Sequence, residues 1–334
     1  MLPKTSFIIF FALLLQSCTN TFSDVEIDSF VQGDEQTQSL MEKARNNRVV
    51  NPYFWKVTSK EGKVSHLFGT IHVGVPIGKI PYRIITQFRN SQILITETDP
   101  AYFSGEAPEG ESPIQKILKE HSDTLLLPDG QKLQSLVSEE AFNVLTTGTK
   151  LPPDFLNSLT PYGAKFFYDF MSLAIGISTV PEGKLDEEII LRAKGTGTKT
   201  AFLETAADAE NYIELALGYN QKEADEYNAE NANIYLLNDA IESRAAVLKD
   251  LLSLIVVYKS GDLNSLTTYA KKQFEESPNL KAELVDKRNE KWMTTLSDTF
   301  KKGSAFVAVG VLHIPGDTGL ISMLEKSGYT VQRL

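Results

Sequence analysis

Apolar residues change their spacing several times along the chain, and each change predicts an element. Tyr53-Phe54-Trp55-Lys56-Val57 and the run from Val64 to Ile71 flank the turn residues Lys60-Glu61-Gly62, which predicts a β-hairpin whose second strand ends near Gly69. Ile80, Ile84, Ile85 and Phe88 then recur at helical spacing, and Gln92 to Thr96 reads as a short buried strand. Strand, helix and strand in that order imply a parallel pairing with a crossover. From about Pro113 to Asn289 the pattern is mainly helical, with starts at Ser112-Pro113 and Thr160-Pro161 and a stop at Gly195. One strand, Lys199 to Leu203, interrupts it between a helix from Leu185 to Lys194 and a further helix after Glu204. The alternation returns at the end with a strand from Ser304 to Val309, a helix from Gly316 to Lys326 and a last strand from Tyr329 to Arg333. The expected fold is mixed α/β: a central mixed sheet built from both chain ends and flanked by helices, with a large helical subdomain inserted over 105–290.

The first residues differ in kind. Lys4 precedes an apolar run, Phe7 to Leu15, that is too short to span a bilayer and ends at Leu15-Gln16-Ser17-Cys18. We read 1–17 as a signal peptide and Cys18, the only cysteine, as the site of acylation after cleavage. The small residue before Cys18 resembles the bacterial lipoprotein pattern. A polar, acidic stretch follows, which we read as a lipidated tether over 18–45 leading into a domain at 46–334. Thr19 in place of an inner-membrane retention aspartate points to an outer-membrane address facing the periplasm. The chain holds 33 Lys and Arg against 43 Asp and Glu, a formal charge of −10, without a basic stripe, which argues against nucleic acid as a partner.

Two of the four histidines occupy matching places. Gly69-Thr70-Ile71-His72 and Gly310-Val311-Leu312-His313 each set a histidine three residues past a glycine at a strand's carboxyl end. Ligands in α/β sheets collect outside that edge, and glycine allows close approach there. The strand ending at Thr96 is followed by Glu97 and Asp99. Two imidazoles and a carboxylate from three strand ends suit a divalent metal with open positions. His66 stands about 20 Å from His72 along a continuous strand, and His121 lies in a charged stretch, so both read as structural. Gly195 to Thr200 lacks the glycine that a phosphate loop sets before its lysine. The aromatics Tyr162, Phe166, Phe167, Tyr168 and Phe170 read as packing of the helical subdomain, with a groove for apolar side chains as the minority alternative.

Together these residues bring the chain close to a known family. Leu67 to Gly74, Leu94 to Asp99, Leu185-Asp186 with Phe202 to Thr205, Gly261-Asp262, Arg288-Asn289 and Val309 to Leu320 resemble the TraB/GumN family, to which the animal Tiki Wnt-inactivating metalloproteases and the bacterial pheromone-shutdown proteins are related. The resemblance runs from about Pro52 to Leu334. It implies a mixed α/β fold grouped with erythromycin esterase and haem-binding ChaN proteins, and nominates His72, Glu97 and His313 as metal ligands. In the Tiki branch the implied activity is peptide cleavage supported by manganese or cobalt. Two positions depart from the family pattern: Val311 stands where alanine commonly follows the glycine, and Asp186 does not lie one residue from Gly183, which weakens a role for Asp186.

The reading is therefore a membrane-anchored, metal-dependent hydrolase of the bacterial cell envelope, most simply a peptidase acting on a peptide or protein. His72 and His313 hold the ion, Glu97 is a ligand or takes a proton from bound water, and Arg288 steadies an oxyanion. Asp99, Glu204 and Asn289 are weaker candidates. One alternative is a non-catalytic envelope lipoprotein that captures a peptide, haem or metal; another is metal-free esterase chemistry with histidine as the base.

Overall fold

The computed structural model describes residues 35–99, 113–205, 207, 208, 211, 212, 215, 219–275 and 277–334. The signal peptide, Cys18 and the tether as far as Asp34 lie outside the described residues.

The hairpin forms as its alternation predicts. β1 (Phe54–Thr58) pairs antiparallel with β2 (Val64–Thr70), Phe54 opposite Phe68, across a turn in which Gly62 takes φ +77°. Beyond Arg89 come β3 (Ile93–Thr96), β4 (Lys199–Phe202), β5 (Ala305–Gly310) and β6 (Thr330–Arg333). The sheet order is β4-β3-β5-β2-β1-β6, with β1 antiparallel to both neighbours and the other pairings parallel. The expected crossover from β2 to β3 runs through the helix Tyr82–Arg89, but the two strands do not touch, because β5 lies between them. Burial accounts for this. Every residue of β5 is buried, so it needs a neighbour on each side and a layer over each face.

Aromatic rings fill the space under the helix Tyr82–Arg89. Phe306 of β5 sits 5.5 Å from Phe88 and 5.9 Å from both Phe54 and Phe68, ring centre to ring centre. Each such ring contributes about 1.5–3 kcal/mol on burial, which binds the hairpin to the chain's end. His66 stacks on Phe54 at 5.2 Å, and His121 is half-buried against the Tyr219 ring at 3.8 Å.

Helices occupy most of the chain between β3 and β5. The helix Pro161–Thr179 starts where Thr160 caps Gly163 N–H and Pro161 fills the first turn, and Tyr162, Phe166, Phe167, Tyr168 and Phe170 are all buried in packing. It lies against the helix Ala240–Ser260, whose buried Arg244 donates to Ser172 Oγ (3.0 Å) and to the Gly148 carbonyl (2.5 Å). The other neighbour of Ala240–Ser260 is unexpected. The last residues of the stretch read as tether form a helix, Glu35–Asn46, that buries Thr37, Met41 and Ala44. Buried Lys259 donates to the Ala44 carbonyl at that helix's C-terminal end. The packed domain therefore includes Glu35 onward. Among the described residues no helix is long and apolar enough to cross a membrane.

Candidate functional site

Four adjacent parallel strands, β4, β3, β5 and β2, finish at one edge of the sheet. Glu204 follows β4, Glu97 follows β3 directly, and His72 follows β2. His313 follows β5 through the short 3-10 turn Val311–His313. The three expected ligands converge around Gly310. A β-carbon placed on that glycine would stand 3.0 Å from Glu97 Oε1 and 3.7 Å from both His72 Nε2 and His313 Cδ2. Its absence leaves the cradle, and Gly310 N–H donates to Glu97 Oε1 at 2.5 Å.

Each imidazole is backed from outside. His72 Nδ1 lies 2.9 Å from Asp186 Oδ2, while Thr70 Oγ1 donates to the other Asp186 oxygen. The His72–Asp186 contact is close but oblique, so it acts as an ion contact without completing a well-angled hydrogen bond. Asp186 sits in the first turn of the helix Leu185–Thr196, and Glu188 ties that turn to the loop beyond His72 by accepting from Ile77 N–H at 2.9 Å and Lys184 N–H at 3.1 Å. At His313, Asn289 Nδ2 donates to the carbonyls of His313 (3.1 Å) and Thr318 (2.9 Å). Its oxygen thus faces His313 Nδ1 at 2.8 Å. The ring accordingly carries its proton on Nδ1, and Nε2 keeps the lone pair.

Arg288 joins the carboxylates to this ring. The helical segment that carries it is divided: Pro278–Lys281, a wide π turn Ala282–Asp286, then Lys287–Lys302. The π turn leaves Leu284 O to accept from Arg288 Nη1 at 3.2 Å. Arg288 Nε and Nη2 grip Glu204 at 2.6 and 2.9 Å, Nη2 also reaches Glu97 Oε2 at 2.7 Å, and Nη1 reaches His313 Nε2 at 3.2 Å. A guanidinium has five N–H groups, and these bonds engage all five. As it stands, Arg288 clamps its own neighbours and donates to no substrate oxygen. The rings of Tyr212 and Trp292 lie 4.7 and 4.8 Å from its central carbon, and Trp292 Nε1 donates to Glu204 Oε1 at 3.0 Å.

The charges follow from these contacts. Burial raises the Glu97 pKa, but Arg288, the two imidazoles and the Gly310 amide outweigh it and hold the group at about 2. Burial presses His72 downward, yet the Asp186 carboxylate lifts it to about 9. His313 has no such carboxylate on its outer nitrogen. Burial takes it to about 3 against the pull of Glu97, so it is neutral. Glu204 is raised by burial despite Arg288.

His72, Glu97, His313, Arg288, Glu204 and Asn289 are thus joined at one edge, whereas Asp99 is half-buried and is not among the residues linked by these bonds. Asp186, set aside from the sequence, touches His72 directly. Thr70, which donates to Asp186, and Trp292, which donates to Glu204, carry no sign of these contacts in the sequence. The one available signal was the acidic first turn Asp186-Glu187-Glu188, which helix-dipole preference explains equally well.

Over 326 aligned residues the chain is 25% identical to metalloprotease TIKI1 of Danio rerio, an alignment that covers 85% of this chain and 63% of that protein. The chain thus spans less than two thirds of the relative's length. No solved structure matches. The model of the TraB/PrgY/gumN family matches residues 53–333, from β1 to β6 and through every group described at the sheet edge, and the chain belongs to that family.

Proposed function

We propose that the protein is a metal-dependent hydrolase, most simply a peptidase, whose centre is the cleft at Gly310. The observation that carries the reading is the convergence of His72 Nε2, Glu97 Oε1 and the His313 ring on one glycine, each imidazole backed by an oxygen at its outer nitrogen. Such backing is the usual surrounding of metal-binding histidines.

Among the described residues no group of three or more His, Asp or Glu side chains closes to metal-holding distances. The donor set nevertheless fits a divalent ion in kind: a carboxylate with one oxygen toward the glycine cradle, an imidazole nitrogen beside it, and a neutral imidazole whose lone pair is occupied by Arg288. His72, Glu97 and His313 are the residues that would hold it, with manganese or cobalt as the first ions to try. A bound ion would polarise the scissile carbonyl and acidify a water molecule.

The chain's own residues prepare the rest. Glu97, held ionised near pKa 2, is a weak base, so its part is to supply charge to the cleft rather than to take a proton. Glu204 fixes Arg288, and Arg288 in turn aims one Glu97 oxygen away from the cleft and leaves the other on the Gly310 side. Asn289 keeps the His313 lone pair on the inner nitrogen.

The test uses purified mature protein with manganese or cobalt and a peptide library read by mass spectrometry. New peptide termini that vanish on chelation and in His72→Ala and His313→Ala are expected. Intact retained peptide would instead make the protein a binder, and turnover surviving exhaustive chelation would make it a metal-free esterase or peptidase. The same reading keeps a lipid on Cys18, with 19–34 as tether and the bacterial envelope, outer membrane foremost, as its address. Cys18→Ala should then move the protein from the membrane fraction to the soluble one.

A further inference from the structure

We propose that Asp186 is a positioning residue for His72: through its contact with Nδ1 it holds the ring's proton on the outer nitrogen, so that Nε2 presents its lone pair to the Gly310 cleft. Its use for metal binding rests on the function proposed above; the contact itself does not.

Three observations carry it. Asp186 Oδ2 stands 2.9 Å from His72 Nδ1, at a place where both side chains are largely buried, and the other His72 nitrogen is the one that faces Gly310. Among the described residues neither Nδ1 nor Oδ2 has another hydrogen-bonding partner, which leaves each to satisfy the other. Asp186 is itself fixed, since Thr70 Oγ1, two residues before His72, donates to its Oδ1, and Glu188 anchors the start of its helix. An ionised carboxylate only accepts, so whatever lies against it must donate. A neutral His72 beside it therefore carries its hydrogen on Nδ1.

Asparagine makes the distinction, because it keeps the shape and can turn an N–H toward Nδ1, which would move the ring's proton to Nε2, the wrong nitrogen for binding an ion. Thr70→Val, which frees one side of the carboxylate, is the milder second variant. The test begins with metal-free, histidine-labelled protein in long-range proton–nitrogen spectra, followed up the pH scale until the His72 ring has lost its charge. Only four histidines contribute, and His72→Gln identifies the signal. The wild type is expected to show hydrogen on Nδ1 and a bare Nε2, with Asp186→Asn reversing or averaging the two. A wild-type His72 with its hydrogen on Nε2, or an Asp186→Asn spectrum like the wild type, overturns the proposal.

Calorimetric titration with manganese supplies the second reading. Asp186→Asn is expected to lose about 10–100-fold in affinity, the usual effect of removing a ligand's outer partner, and Thr70→Val a smaller part of it. Unchanged affinity in Asp186→Asn overturns the positioning role. A wild type that binds no manganese or cobalt overturns the metal reading instead, and the spectra of the metal-free protein then decide the role of Asp186 by themselves.

Discussion

Replacing Gly310 by alanine adds one carbon to the cleft and changes little else. Gly310 has φ −51° and ψ 133°, a conformation open to any L-residue, so the backbone pays nothing for the substitution. Fewer unfolded conformations should even favour the variant by roughly 0.4–1 kcal/mol. Against this, the new carbon stands 3.0 Å from Glu97 Oε1, tighter than ordinary contact, and Glu97 is gripped from its other oxygen by Arg288 at 2.7 Å. Overpacking of that kind costs about 1–3 kcal/mol. The two effects partly cancel, and thermal unfolding should shift by only a few degrees. The cleft fares worse, because the added methyl fills the point toward which His72 Nε2, Glu97 Oε1 and His313 turn. Manganese affinity by calorimetry and peptide turnover should each fall at least about tenfold, equivalent to about 1.4 kcal/mol. A variant that keeps both within about twofold would refute the convergence on Gly310 as the working centre.

Three further outcomes follow from the contacts described. Arg288→Met leaves Glu97 and Glu204 buried without their cation, and should cost about 3–5 kcal/mol in urea unfolding; a loss under about 1 kcal/mol would mean that the clamp is not structural. In metal-free protein, the raised His72 pKa contributes stability that is fully present below pH 6.5 and lost as pH rises through about 9, worth on the order of 3 kcal/mol. The depressed Glu97 contributes stability present above pH 4.5 and lost as pH falls toward 2. Unfolding measured across pH should therefore decline at both ends, with the alkaline decline flattened in His72→Gln and the acid decline, to which His72 contributes only part, reduced by less. Lys259→Met removes the lysine that caps the helix Glu35–Asn46, and amide exchange should quicken in that helix while β2 and β5 stay protected; uniform exchange would contradict the local effect.

Much of the fold is legible from local pattern. Trp55 and Val57 alternate with Lys56, Gly62 supplies the turn, and an unbroken apolar run marks β5, because burial on one face or two leaves different spacing. The order of strands is not local. Nothing between Thr70 and Ile93 records that Ala305–Gly310 lies between them. The helix Glu35–Asn46 escaped for a different reason: Thr37, Met41 and Ala44 have helical spacing but offer too little apolar surface to be told from a tether. His72, Glu97 and His313 were found because strand ends advertise them. Asp186 was not, since its partner is reached across the sheet edge from the start of a helix, where an acidic residue is ordinary. The π turn before Arg288 depends on hydrogen-bond register, which side-chain spacing does not encode.

The central place of β5 also governs when the cleft can exist. Gly310 closes β5 and His313 follows it, and that strand must enter between two strands made more than two hundred residues before it. Pairings this distant form late, after the loops they close have lost their freedom. A nascent chain halted between Arg288 and Ala305 would hold His72, Glu97 and Arg288 with no glycine cradle to gather around, so whatever chemistry the edge performs waits for β5.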